Sequence, residues 1–191
     1  MAVRVAINGF GRIGRLVLRS IIEHDRKDIE VVAINDLGPV ETNAHLLQYD
    51  TVHGKLNEEV SVDGDMIRVG DRAFKCTAIR NPAELPHGDM GVDIAFECTG
   101  IFASKEKAAA HLEAGAKRVL VSAPATNADK TIVYGVNHDT LSADDLVVSN
   151  ASCTTNCLSP VAKVLNDTVG IARGYMTTVH AYTGDQPPLD R

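Results

Sequence analysis

A chain of 191 residues with a formal net charge of −6 has material for one complete domain core and the beginning of a second. Its 45% hydrophobic and 23% charged residues place it in the ordinary globular range, and the acidic balance argues against nucleic acid as a partner. No signal peptide opens the sequence and no apolar run approaches the ~18 residues of a membrane span, so a cytoplasmic location with no membrane partner is expected.

Short β-branched runs alternate with helical patterns from the start. Val3 to Ile7 reads as a strand, Gly11 to Glu23 as a helix, Glu30 to Asn35 as a strand and Val40 to Asp50 as a helix. From Gly54 to Arg80 the period changes to two, with Val60 and Val62, Met66 to Val69, and Phe74 to Ile79 broken by Asp63-Gly64 and Gly70-Asp71. That pattern predicts antiparallel hairpins inserted at the edge of a parallel sheet. Parallel logic resumes at Val92 to Glu97, followed by an Ala-rich helix from Ser104 to Ala114, then strands at Arg118 to Ser122, Thr131 to Val136 and Leu146 to Ser149. The expected fold is α/β, a doubly wound parallel sheet over residues 1–150. Residues 151–191 then begin an α+β domain: Leu158, Val161, Ala162, Leu165 and Val169 fall at helical spacing, and Gly174 to Tyr182 reads as a strand.

Two places carry chemistry. Gly9-Phe10-Gly11-Arg12-Ile13-Gly14 follows a strand and opens a helix, so its backbone N–H groups and the helix dipole can meet a pyrophosphate; a plain tight turn is the alternative. A second strand ends at Asn35-Asp36, and Asp36 lies 22 residues after Gly14, where a carboxylate accepts adenosine ribose hydroxyls and repels a 2'-phosphate, favouring NAD over NADP. An Asp at a strand end also caps helices. Two further strand ends, Cys98-Thr99-Gly100 and Ser122-Ala123-Pro124, lie on the same edge, where turn chemistry accounts for Thr99 and Ser122 as well as contact does; Arg80 lies in a loop within reach of the adenine side, although an exposed arginine is more often just solvated.

The second place is Ser149-Asn150-Ala151-Ser152-Cys153-Thr154-Thr155-Asn156-Cys157, which joins the last strand to a helix. Ser152 takes the N-cap and Cys153 the first turn, where the helix N-terminus favours the thiolate, the nucleophilic form. Cys157, one turn further on, fits an inert thiol, and the four cysteines Cys76, Cys98, Cys153 and Cys157 form no CxxC pair and no disulfide framework, as expected of a reducing compartment. A thiol nucleophile needs a base, and His180 stands in the following strand; a solvated or core histidine is the competing account. The other six histidines show no evident partner, and no metal site is expected.

Asn8 to Gly14 (NGFGRIG), Asn35-Asp36, Asn150 to Cys157 (NASCTTNC) and His180 to Gln186 (HAYTGDQ) together resemble the phosphorylating glyceraldehyde-3-phosphate dehydrogenase family. The resemblance implies that Cys153 adds to the aldehyde as a thiohemiacetal and that His180 is its base. It also implies NAD contacts from Arg12, Ile13, Asp36, Arg80 and Ser122. Ser152, Thr154 and Thr183 would contact glyceraldehyde 3-phosphate and inorganic phosphate, and a homotetramer would be the assembly. Family chains continue well beyond residue 191, so the chain is expected to be a fragment with little dehydrogenase activity by itself. An erythrose-4-phosphate dehydrogenase is the enzymatic rival, and a non-catalytic NAD-binding or thiol-sensing module is the rival of another class.

Overall fold

The runs Val3–Asn8 (β1) and Ile29–Asn35 (β2) lie side by side in parallel, joined by helix α1, Arg12–Glu23. This βαβ unit opens the structure, a computed structural model that describes residues 2–181. Helix α2, Val40–Gln48, leads into a small hairpin of β3, Tyr49–Asp50, and β4, Gly54–Lys55. Strands β5, Val60–Asp63, β6, Met66–Val69, and β7, Arg72–Thr77, follow as an antiparallel meander.

The second half adds β8, Ile94–Glu97, the short helices α3, Lys105–Ala108, and α4, Ala110–Glu113, and β9, Arg118–Val121. It closes with β10, Lys130–Thr131, β11, Val147–Ser149, and helix α5, Cys153–Val169. Ser104 caps α3 through its hydroxyl, and Gly115, at φ +102°, ends the α3–α4 stretch in the left-handed region that glycine alone adopts freely.

Among the described residues nine strands form one sheet in the order β10-β11-β9-β8-β1-β2-β7-β6-β5. The chain winds outward from β1 toward β2 on one side and resumes at β8 on the other, so the order reverses between β1 and β8. In an open parallel sheet that reversal marks the ligand crevice, at the carboxyl ends of the strands. Both faces are covered: Val5 and Ile7 pack with Leu18, Leu47 and Phe74 on one, and Ala6 packs with Val92, Ala95 and Ala116 on the other. Burial on both faces is why β1 and β2 read as continuous apolar runs rather than alternating ones.

Three expectations need correction. Residues 54–80 are not wholly an antiparallel insertion, because β7 pairs in parallel with β2 and belongs to the main sheet, leaving β5 and β6 as the antiparallel edge. The strand expected over 131–136 is confined to Lys130–Thr131; Asn137 then binds back to Val133 N and Thr131 O and turns the chain. The strand expected over Gly174 to Tyr182 does not form in its described part, since Tyr175 and Val179 are fully exposed and a strand without a ladder partner has nothing to hold it. Helix α5 forms as expected, but Leu158, Val161 and Val169 are exposed among the described residues.

Candidate active site

The Gly9 loop sits at the reversal between β1 and β8. Gly9 has φ +88°, and a side chain there would meet the Thr99 backbone nitrogen at 2.6 Å, so the loop and the turn that follows β8 are in backbone contact. Gly11 caps α1 with no side-chain bond, and the first turn of α1 carries no acid. The first N–H groups of a helix have no partner within it, so this turn offers free donors and positive potential to an anion. Nothing stands within 4 Å of the position a Cβ would take at Gly11.

Asp36 directly follows β2 and accepts from Phe10 N–H at 2.7 Å and from Gly38 N–H at 2.8 Å, so it clips the loop to the neighbouring strand. It does not cap α2, whose N-cap is Pro39. Each carboxylate oxygen keeps a lone pair for a ribose hydroxyl. Arg12 is half-exposed and pairs with Asp50 at 2.9 Å. Arg80 lies beside Asp36, because Asn35 holds Ile79 through both its amide nitrogen and its amide oxygen, each at 2.8 Å.

Two clefts gather the expected residues. One of about 370 Å³ is lined by Gly9, Gly11, Asp36, Arg80 and Thr99; the other, about 460 Å³, by Ile13, Ser122, Ser152 and Cys153. Both include Cys98, so they adjoin along the carboxyl edge of the sheet. A dinucleotide fits that arrangement: an elongated site with a ribose acceptor at one end, a helix N-terminus along it and a reactive group at the other.

That reactive group is Cys153. Ser149 donates to Ala123 O at 2.8 Å and Ala151 takes φ +57°, a left-handed conformation a non-glycine residue seldom adopts. Ser152 then caps α5 by accepting from Thr155 N–H at 3.0 Å, and Asn156 donates back to Asn150 O at 2.7 Å and Ser152 O at 2.9 Å. The turn is thus fixed from both sides, with Cys153 exposed in the first turn of α5. His180 Nε2 lies 3.2 Å from Cys153 Sγ, and the other ring nitrogen contacts the Ala181 carbonyl. Thr154 lines a further cleft of about 430 Å³ between α5 and the 176–180 segment. Thr183 lies outside the described residues.

Electrostatics separate the thiols. The hydrogen bond with His180, aided by the Thr154 backbone, holds the Cys153 thiol below its ordinary value, and the same bond with Cys153 raises His180. Burial pushes Cys98 up to about 11 and raises Cys76 as well. A depressed thiol and an elevated imidazole favour the thiolate–imidazolium pair in the window between them, and the thiolate is lost as pH falls through the lowered thiol value. At neutral pH iodoacetamide should therefore alkylate Cys153 at least about a hundredfold faster than Cys98, with peptide mass mapping as the readout. Equal labelling of the two would contradict the pairing.

The histidines include one arrangement the sequence did not disclose. Of the six expected to lack partners, His111 on α4 lies 2.9 Å from Glu97 and His87 lies 3.0 Å from His111, all three buried. The available signal was a carboxylate ending the apolar run Ile94–Glu97.

A doubly wound sheet with a glycine loop at its reversal point and a thiol of lowered pKa at the same edge defines the class as a dinucleotide-binding α/β protein. The chain belongs to the glyceraldehyde 3-phosphate dehydrogenase family: the model of that family's NAD binding domain matches residues 3–105 and the model of its C-terminal domain matches residues 152–191. Similar curated proteins include the glyceraldehyde-3-phosphate dehydrogenases of Xanthobacter flavus, 74% identical over 190 residues, and Cereibacter sphaeroides, 73% identical over 190 residues. All of this chain is covered in both, but only 57% and 56% of the relatives' own lengths. No helix among the described residues is long and apolar enough to cross a membrane.

Proposed function

We propose that the protein to which this chain contributes converts glyceraldehyde 3-phosphate, NAD and inorganic phosphate to 1,3-bisphosphoglycerate and NADH. The observation that carries this is the 3.2 Å approach of Cys153 Sγ to His180 Nε2 at a helix N-terminus beside the dinucleotide clefts. Gly9, Gly11, Arg12, Ile13 and Gly14 would hold the pyrophosphate, Asp36 a ribose, and Arg80, Thr99 and Ser122 the remaining surface of NAD. Ser152 and Thr154, joined by Thr183, would bind the substrate's phosphate or the attacking one.

Cys153 attacks the aldehyde carbon as thiolate, forming a C–S bond while the carbonyl oxygen takes the proton carried by His180. His180, now neutral, removes that hydroxyl proton again as the carbon is oxidised. Accepting the hydride that leaves that carbon is the chemistry NAD would supply when bound. Cys153 then carries the acyl group as a thioester until a phosphate oxygen attacks its carbonyl carbon, breaks the C–S bond and returns the thiolate. Covalent capture divides one difficult oxidation into two easier steps.

The division into an NAD domain of residues 1–150 and a catalytic portion from 151, the cytoplasmic location and the homotetramer are part of this proposal, on family likeness. The test is turnover by the full-length protein. With phosphate omitted, NADH formation should stop at one burst matching the number of active thiols, and added phosphate should restore turnover. Faster oxidation of erythrose 4-phosphate than of glyceraldehyde 3-phosphate would replace the substrate, and NAD binding without any burst would leave a non-catalytic module.

A further inference from the structure

The last residue of each of four parallel strands is polar and buried: Asn8 of β1, Asn35 of β2, Glu97 of β8 and Ser149 of β11. Three of them belong to one hydrogen-bond network beneath the Gly9 loop. Asn35 donates to Asn8 Oδ1 at 2.7 Å and accepts from the Thr77 hydroxyl at 2.8 Å, which ties β7 and β2 to β1. Asn8 donates to Glu97 Oε2 at 2.6 Å, which ties β1 to β8.

Glu97 is the hub. Its Oε2 also faces His111 Nε2 at 2.9 Å, while its Oε1 accepts from Thr99 N–H at 2.7 Å and from the Thr99 hydroxyl. Glu97 is 1% exposed and His111 is fully buried, so four donors surround a carboxylate cut off from water. Burial works to raise the Glu97 carboxyl, yet the bonds from His111, Thr99 and Asn8 outweigh it and hold the group below the usual carboxylate range. His87, pushed down to about 4 by burial and by the adjacent His111, stands neutral behind the pair. Its Nδ1 has no hydrogen-bond partner among the described residues.

A buried carboxylate held by hydrogen bonds is poor value for stability alone, since apolar residues of equal volume commonly do as well. What the Glu97 network controls is local. Thr99 is the residue whose backbone abuts Gly9, and both line the cleft that holds Asp36 and Arg80. Two loops in backbone contact have to keep one relative position if their amides are to meet a ligand together.

We propose that Glu97, backed by His111, is a positioning residue of the dinucleotide site: it fixes the Cys98–Gly100 turn against the Gly9 loop before the cofactor arrives. The proposal rests on NAD occupying that cleft. Its effect falls on binding of NAD and not on the chemistry at Cys153, because neither Glu97 nor His111 is among the residues that line the thiol's clefts.

The test uses the full-length protein and two variants. E97Q keeps the shape but presents an amide N–H₂ to at least one of the four donors; H111Q keeps a neutral donor toward Glu97 and loses the link to His87. E97Q should raise the NAD dissociation constant about tenfold, with kcat at saturating NAD and KM for the aldehyde within about twofold of wild type. H111Q should show a smaller shift in the same direction, and it carries the test if E97Q does not fold. In the wild type without NAD, the Thr99 amide should be protected from hydrogen exchange.

Unchanged NAD affinity in both folded variants would overturn the proposal, as would Thr99 exchange at the rate of a free peptide. Failure of the wild type itself to bind NAD would instead defeat the cofactor reading on which the proposal stands.

Discussion

Replacing Cys153 by serine in the full-length protein should lower kcat for NADH formation by more than about 10⁴-fold, because it removes the nucleophile and with it both halves of the reaction. A serine hydroxyl holds its proton far more tightly than a thiol, so His180 3.2 Å away and the α5 N-terminus no longer suffice to generate the anion. The phosphate-free burst should vanish as well, since no thioester forms. NAD affinity should change little, because the Gly9 loop and Asp36 lie at the other end of the adjoining clefts. Replacing His180 by asparagine should cost less, about 10² to 10⁴-fold, because a base is lost while the nucleophile and the helix N-terminus remain. Turnover of the serine variant near the wild-type rate would remove Cys153 from the mechanism.

Legibility in the sequence followed how local each signal was. The β1–α1–β2 unit was readable because its strands are buried on both faces and its loop needs glycine at fixed offsets, and Ser152 was readable as a cap because capping spans only three residues. The parallel pairing of β7 with β2 was not, since a period-two pattern says which face a residue takes and nothing of the neighbour's direction. The strand anticipated over 174–182 failed because strand propensity describes a fit to a pleated surface, and the described part of that segment has no such surface beside it. The Glu97–His111–His87 group was invisible for a related reason. Its members are separated by 10, 14 and 24 positions and meet only through the tertiary fold, so no motif spacing announces them. Read together, the polar residues ending β1, β2 and β8 were the nearest thing to a signal, marking the edge where a buried network replaces an apolar core.

The three motif glycines should respond differently to alanine, and the difference separates packing from ligand access. At Gly14 an added Cβ would stand 2.1 Å from the Gly9 carbonyl oxygen and 3.0 Å from Ile7 Cγ2, so α1 could keep its first turn only by moving off β1. The nearer obstacle is backbone, which cannot swing aside as a long side chain does. G14A should therefore lose about 3 kcal/mol of stability, measured by denaturant unfolding, and NAD binding should fall with it. G9A combines a backbone contact of 2.6 Å to Thr99 N with φ +88°, and should be at least as damaging. At Gly11 the added methyl meets nothing within 4 Å, so G11A should fold with near wild-type stability. If that open space is where the pyrophosphate approaches the helix N-terminus, the methyl occupies it, and NAD affinity should drop about tenfold or more without a change in unfolding midpoint. Wild-type NAD affinity in G11A would mean that the cofactor does not approach α1 at this glycine, and the assignment of the loop would have to be withdrawn even though the fold stood.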